Sequence, residues 1–465
     1  MLQKNGMSVS AASCYVNTGN GPRLSVLEIG LEDSVAVIEP DTGFWSIVQA
    51  DTFPGVLVGS VKDGFIQHQK LLTDDMNYVR FGLRHSAVYF NPTERCNMNC
   101  TYCYLPESIR RQGKNMSKEE VCAALERLLL FFKETLPEDI KPQIIFHGSE
   151  PLMAKEAVFY GIERYLDHFQ FGVQTNGTLL DQEAISFLTD NNISIGISLD
   201  GSRTETANCD RKNWQGKGFF DHIVKVIEQL SDYPALNVMS TITANNVQEL
   251  PQLVDFYYQL GLDMAMFNPV RCTQPGGRQV KPDDETLLHF FCVALDRCLE
   301  LYESTGKKVV IASFANIMAG ILAPTGRKLM CDITPCGGGR CFFAVSALGD
   351  IYPCSEFIGI PEFNCGNLFT QDLKEIVQAK QMEAVKHRIA ENIYPCSSCA
   401  IRHFCGAPCP AEVYMVTGKL NSPSPYCRFY EGLIRYAFRI IAQGKEEVFL
   451  WHDWQEETEE LVQLN

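Results

Sequence analysis

The chain has no run of about 18 apolar residues, so it holds no candidate membrane span. Its first residues, MLQKNGMSVSAASCYVNTG, contain no apolar core of signal-peptide length, and the expected location is the cytoplasm. Cations are in deficit: 40 Lys and Arg stand against 56 Asp and Glu, a net charge of −16. That balance argues against non-specific binding of nucleic acid or a membrane surface, and it would favour a basic peptide partner. There is no internal repeat and no low-complexity tract, which argues against solenoids and disordered chains. The composition, 46 % hydrophobic and 21 % charged over 465 residues, is that of a globular protein. Its length allows two or three domains, although one barrel would absorb about 200–250 residues.

Cysteine, by contrast, is plentiful. In a reducing compartment 19 cysteines point to metal ligands rather than disulfides. Three fall at 96–103 and ten between Cys331 and Cys427. Cys14, Cys122, Cys209, Cys272, Cys292 and Cys298 are scattered, and they read, with Cys365, as small buried hydrophobes.

Residues 1–80 form a mixed segment. There VAVIEP and WSIVQA flank PDTGF and predict a hairpin around residues 35–50. From about residue 86 apolar runs alternate with helical stretches. The strands are AVYFNP, QIIFHGSEP, FGVQTNGT, SIGISLDG, NVMSTITANN and MAMFNPV, and Ser117 with Glu120 makes a capping box at the first long helix. Six such units imply an α/β fold with a parallel sheet, open or curled into a barrel. In such folds the site gathers at the C-terminal ends of the strands. Here those ends carry, in turn, three cysteines, GSEP, TNG and SLDG; each alone also suits an ordinary turn. After about residue 330 the sequence is punctuated by Gly and Pro and rich in cysteine, as in a small domain held by metal rather than by a large core. YEGLIRYAFRIIAQG, after Cys427, reads as a helix.

Cys96, Cys100 and Cys103 are spaced C-x3-C-x2-C. Thiolates suit zinc or iron–sulfur clusters. Structural zinc wants four ligands, and no further Cys or His follows at finger-like spacing. Three cysteines after a first barrel strand suit an iron–sulfur cube with one iron left open to a substrate or cofactor. With Tyr102 before the last cysteine, the motif resembles the signature of the radical S-adenosylmethionine (SAM) superfamily. The resemblance implies a partial (β/α)6 TIM-like barrel over residues 84–320. It also implies that the amino and carboxylate groups of SAM chelate the open iron. An electron from the cluster would then cleave a carbon–sulfur bond, and the resulting 5′-deoxyadenosyl radical would abstract a hydrogen atom from substrate. Gly148-Ser149-Glu150-Pro151 is similar to the family's GGEP motif at the SAM amino group, with Ser149 where a second glycine is usual; serine restricts φ there. Thr175-Asn176-Gly177 and Ser198-Leu199-Asp200-Gly201 resemble the segments near the ribose and carboxylate of SAM. Where relatives carry His-Asp-x-x-Arg, this chain has Cys209-Asp210 and, in the arginine's place, Asn213. Arg211 is the candidate substitute at the SAM carboxylate; the alternative is a solvated surface arginine.

The late cysteines run Cys336, then Gly349-x4-Cys354, then Cys396-x2-Cys399-x5-Cys405-x3-Cys409, then Cys427. This order resembles the SPASM domain of radical SAM enzymes with two auxiliary clusters. The resemblance assigns Cys336, Cys354 and Cys409 to auxiliary cluster I. It assigns Cys396, Cys399, Cys405 and Cys427 to auxiliary cluster II, for three 4Fe–4S clusters in all. Cys341, in the same CGGGRC loop, is the first candidate for the missing ligand of cluster I; Cys331 is the second, and an open iron the third choice. Two zinc sites of four cysteines would use the same spacings.

The implied layout is a small N-terminal α+β segment (1–80), the radical SAM core (84–320), a cysteine-rich SPASM domain (330–430) and a C-terminal helical tail (431–465). The implied function is modification of a ribosomally made precursor peptide, with flavodoxin or ferredoxin as electron donor. The N-terminal segment would capture a leader strand or simply cover the barrel. Sulfatase maturases, which oxidise Cys or Ser to formylglycine, carry an aspartate base directly after the G-x4-C cysteine. Ser355 stands there in this chain, followed by Glu356, a candidate base. A protein that only transfers electrons or binds a partner through iron–sulfur or zinc is a further class.

Overall fold

Alternating and continuous apolar runs build two different sheets. A computed structural model of the chain describes residues 15–16, 24–51, 63, 73–451 and 454. Strands β1 (Tyr15–Val16), β2 (Leu24–Glu28), β3 (Ser34–Glu39) and β4 (Phe44–Gln49) pair antiparallel in chain order. The hairpin expected around 35–50 is β3–β4, with Ser34 opposite Gln49 and Glu39 opposite Phe44. Its turn is closed by the buried Glu39 carboxylate, which accepts from the Thr42 N–H (2.8 Å) and hydroxyl (2.7 Å). Trp45 fastens this sheet to the rest of the chain. Its ring N–H donates to the Ile321 carbonyl (2.8 Å), and its ring meets Phe438 edge-on at 5.3 Å. Cys14 and much of the leader-capture segment proposed for 1–80 lie outside the described residues.

The second sheet has a parallel centre whose strands are largely buried. Its strands β5 (Ala87–Phe90), β6 (Gln143–Phe146), β7 (Gln170–Thr175), β8 (Ser194–Ser198), β9 (Leu236–Ile242) and β10 (Met264–Pro269) are neighbours in chain order. Helices α1 (Lys118–Thr135), α2 (Lys155–Tyr165), α3 (Gln182–Asp190), α4 (Phe220–Leu230) and α5 (Leu250–Gln259) connect them, and α6 (Asp284–Thr305) follows β10. The capping box opens α1: the Ser117 hydroxyl accepts from the Glu120 N–H (3.2 Å), and the Glu120 carboxylate from the Ser117 N–H (2.9 Å). Right-handed crossovers that always step the same way put the helices on one side and curl the sheet as a barrel does. A doubly wound sheet would reverse its order in the middle.

Closure is incomplete. At one edge β11 (Val310–Ile311) adds beside β10. At the other, β12 (Phe342–Val345) lies parallel to β5, followed by antiparallel β13 (Asp350–Tyr352) and β14 (Gly366–Asn367). The cysteine-rich region therefore extends the barrel's own sheet. Phe343 and Val345 share one core with Phe90 and Phe146, so the expectation of a region held by metal in place of a large core is corrected. Helices α7 (Ala312–Leu322), α8 (Pro410–Thr417) and α9 (Cys427–Ala442) complete the packing; α9 is the expected helix after Cys427 and sets Phe429 5.5 Å from Phe291 of α6. Among the described residues no helix is long and apolar enough to cross a membrane. Cys272, Cys298 and Cys365 are buried, and Cys122 and Cys292 pack partly buried against the core. Cys209 departs from that expectation: it is exposed.

Candidate active site

The cysteine loop leaves the end of β5 and is held on both sides. The Cys96 N–H donates to the Arg110 carbonyl (2.9 Å); across the loop, Asn99 and Thr101 donate to the carbonyls of Lys212 (2.7 Å) and Asp210 (3.0 Å). The Trp214 ring N–H donates to the Cys96 carbonyl (2.8 Å). The Cys96 sulfur accepts from the Met98 N–H (3.4 Å) and the Asn176 amide (3.8 Å). Burial pushes the Cys100 thiol up to about 11 and raises those of Cys96 and Cys103.

Each following strand end meets this loop. Gly148 sits at φ +105°, and a Cβ there would come 2.1 Å from the Asn91 side-chain nitrogen, so the position requires glycine. Ser149 has no positive φ, and its hydroxyl donates to the Glu94 carbonyl (2.7 Å), so serine is accommodated without strain. Glu150 is fully buried and accepts from the Thr175 hydroxyl (2.7 Å) and the Asn176 N–H (2.7 Å). Pro151 opens the short helical turn Pro151–Ala154. The Asn176 amide also donates to Asn97 Oδ1 (2.9 Å). The Ser198 hydroxyl donates to the Thr175 carbonyl (3.4 Å).

Arg211 is only 6 % exposed, which overturns the surface alternative. Its Nη1 donates to the Tyr102 hydroxyl (3.0 Å), which in turn donates to Asp200; the other oxygen of Asp200 accepts from the Thr241 N–H (2.9 Å). Arg211 Nη2 is buried and has no partner. Asp210, in the departing motif, is occupied by the Thr243 hydroxyl (2.9 Å) and the Asn245 amide.

A cavity of about 370 Å³ joins these pieces. Cys96, Cys100 and Cys103 line it, together with Tyr102, Gly148, Ser149, Thr175, Asn176, Ser198 and Arg211. Glu150, Pro151 and Asp200 do not line it; Glu150 and Asp200 hydrogen-bond to residues that do. Elsewhere on the cavity wall are Cys331, Cys336, Cys354 and Cys409. Cys341 is absent from that wall. It is fully buried among Val79, Ala87, Met330, Ile333 and Phe342, with Cys354 packed against the same cluster and repulsion from Cys336 adding to the rise of its thiol, whereas Cys331 lines the cavity. Cys396, Cys399, Cys405 and Cys427 gather separately: burial raises each thiol, and repulsion from others of the four adds to it for the first three. Cys409 instead feels Cys336, and Cys354 feels both.

Glu356 lines the cavity and is pushed up to about 7 by burial, with Arg271 opposing the shift and Glu412 adding to it. Sequence reasoning missed Arg271, Glu412 and His147. Arg271 follows the end of β10, where the strand-end rule applies, and His147 precedes Gly148; nothing in the sequence marks Glu412. Burial pushes the His147 ring down to about 4, and its Nδ1 lies 3.4 Å from the Tyr104 hydroxyl.

The residues present fit the implied groups. Cys96, Cys100 and Cys103 come from one loop and line one cavity, a soft three-thiolate donor set of the kind a cube takes on separate irons. The unpartnered Arg211 Nη2 suits a carboxylate, and the glycine-only turn at Gly148 permits close approach of a ligand.

A model of the radical SAM superfamily matches residues 90–257, and a model of the SPASM iron–sulfur cluster-binding domain matches residues 336–400. An uncharacterised protein of Archaeoglobus fulgidus is 40 % identical over 88 % of this chain and 92 % of its own. The cysteine-type anaerobic sulfatase-maturating enzyme of Clostridium perfringens is 25 % identical over 74 % of this chain and 94 % of its own. In fold, the chain is similar to native anSMEcpe with bound AdoMet: TM-score 0.68, 22 % identity, 78 % of this chain and 99 % of that one.

Proposed function

Because the chain belongs to the radical SAM superfamily and carries a SPASM iron–sulfur domain, we propose that it is a peptide maturase. Its substrate is a ribosomally made precursor peptide, in which it installs a crosslink or another oxidative modification. The observation that carries this reading is the single cavity shared by the three-cysteine loop, the strand-end residues of SAM type and four further cysteines.

Cys96, Cys100 and Cys103 would hold the first cluster. Cys331, Cys336, Cys354 and Cys409 would hold auxiliary cluster I, and Cys396, Cys399, Cys405 and Cys427 would hold auxiliary cluster II. When bound, SAM and the first cluster would supply radical hydrogen-atom abstraction from the peptide. Arg211 receives the SAM carboxylate, with its cation held in place by Tyr102 and Asp200. The Gly148–Ser149 backbone receives the amino group, and Glu150 fixes the Thr175–Asn176 turn beside it. Glu356, on the cavity wall, is the candidate base for a substrate proton. A flavodoxin or ferredoxin supplies the electron, and a leader strand adds to the N-terminal sheet, of which β4 is an edge.

The test is anaerobic reconstitution. The loaded protein should carry about twelve irons and release 5′-deoxyadenosine from SAM after reduction. If none is released, the enzyme reading fails and a protein that only transfers electrons or binds a partner takes its place. Coexpression with a short neighbouring reading frame, followed by mass spectrometry, identifies the modification. A second reading, oxidation of Cys or Ser to formylglycine, is favoured by the relative named as a sulfatase-maturating enzyme and by Glu356 in the cavity. Incubation with a sulfatase-derived cysteine peptide distinguishes the two, because formylglycine appears as a defined mass loss.

A further inference from the structure

We propose that Arg271 and Glu356 form a slot for one peptide bond of the substrate. Arg271 Nη1–H would donate to its carbonyl oxygen and Glu356 Oε2 would accept from its N–H. The inference rests on the peptide-maturase reading and specifies how that cavity grips its substrate.

Both atoms are buried and neither has a hydrogen-bond partner. Native folds leave few such atoms, and each needs an occupant. Both residues line the same cavity, and the two side chains attract one another without closing into an ion pair. Arg271 Nη1 has only the Glu412 carboxylate near it, at 3.7 Å, beyond hydrogen-bond length, and Glu356 Oε2 has no partner, so both keep hydrogen-bonding capacity on the wall of one cavity. A group carrying an acceptor and a donor on opposite edges completes both, and a trans amide is such a group. A carboxylate would satisfy Arg271 but oppose Glu356; an ammonium would do the reverse. In the free enzyme water would occupy the slot and be displaced by the peptide.

Two features keep the slot in place. Arg271 follows β10 at its C-terminal end, and its Nη1 lies 3.7 Å from Glu412 Oε2. Glu412 is fully buried, and its other oxygen accepts from the Cys272 N–H (2.7 Å). Glu412 is thus a positioning residue for the guanidinium. Glu356 comes from the cysteine-rich region, so the slot bridges two parts of the chain, where ligand sites commonly form. The cavity wall also includes Phe291, Ile317, Leu329, Phe429 and Leu433, so it has room for apolar parts of a substrate.

The test uses two small probes, N-(3-methylbutyl)acetamide and its ester counterpart 3-methylbutyl acetate. Each is added to anaerobic, cluster-loaded, reduced enzyme, and binding is read from relaxation of the probe's methyl protons by the paramagnetic clusters. The amide should bind about ten-fold tighter than the ester, the size expected for one hydrogen bond. Glu356→Leu should abolish that difference, whereas Glu356→Gln, which keeps an acceptor oxygen, should retain most of it. Arg271→Ala should weaken both probes about ten-fold, with partial recovery in Arg271→Lys. Iron content and circular dichroism identify any variant that has failed to fold. Equal binding of amide and ester, a difference that survives Glu356→Leu, or no binding of the amide overturns the slot. 5′-Deoxyadenosine release by the same preparation tests the maturase reading separately: release without probe binding defeats the slot alone.

Discussion

Arg110 stands directly beneath the first cysteine loop. It is 6 % exposed and donates to the Leu105 carbonyl (3.2 Å) and to Asn99 Oδ1 (3.2 Å); its guanidinium lies 5.5 Å from the Trp214 ring. Its charge favours the thiolate forms of Cys100 and Cys103. A buried cation beside a cluster stabilises the extra electron. Arg110→Leu should therefore lower the midpoint potential of the first cluster, and Arg110→Lys should keep most of it, as read by an EPR-monitored redox titration. The fourth ligand of auxiliary cluster I gives a second expectation. Cys331→Ala should lose about four irons, while Cys341→Ala should lose none, by iron and sulfide analysis. The first three cysteines were legible because their spacing carries the chemistry. The pair Cys331 and Cys341 was not, because each is only a few residues from Cys336. The loop turns at Gly339 (φ +72°), and Cys341 enters β12 packed among apolar side chains. The burial of Arg211 was equally hidden, since Tyr102, to which it donates, is far away in the sequence.

Elements were read more easily than single side chains. The six parallel strands, the hairpin and α1 announced themselves by period, turn residues and a capping box. Ser117→Ala should cost about 1 kcal/mol of stability, measured by urea denaturation, because it removes one half of that box. Two elements gave no such sign. β11 has two residues, and β12 is an apolar run of four between cysteines, too short for a period to show. What makes β12 a strand is β5 beside it, a long-range partner that local pattern does not reveal. The segment 210–213 was legible as a departure from the family motif. Its role as a backbone splint for the cysteine loop was not, because main-chain hydrogen bonds leave no mark on residue type.

At the scale of the whole molecule the shared core changes what metal loss should do. A small domain built only around metal unfolds when the metal leaves. Here Phe343, Val345, Ile351 and Phe404 belong to the main core. Iron-free protein should therefore retain most of its far-UV circular dichroism, with protease sensitivity confined to the cysteine loops; cooperative loss of the whole signal would contradict this. Loading should depend on pH in one direction. Burial raises the thiols, with Cys100 and Cys396 at about 11 and Cys336 also raised, and iron must displace protons from those it binds. Iron occupancy under limiting iron should accordingly fall as pH falls, measured by the iron retained after desalting.

The pairing of β12 with β5 has one more consequence. β5 leads into the loop of Cys96, and β12 leads through β13 into Cys354, with Phe90 level with Val345 and Ala344 level with Tyr352. The separation of the two cysteine groups is thus set by a ladder of main-chain hydrogen bonds, with no hinge between them. Inserting one residue into β12 would slide the downstream residues of that strand by about 3.3 Å and turn their side chains over. The register of this ladder, rather than any side chain, therefore sets the spacing of the two cysteine groups that share one cavity.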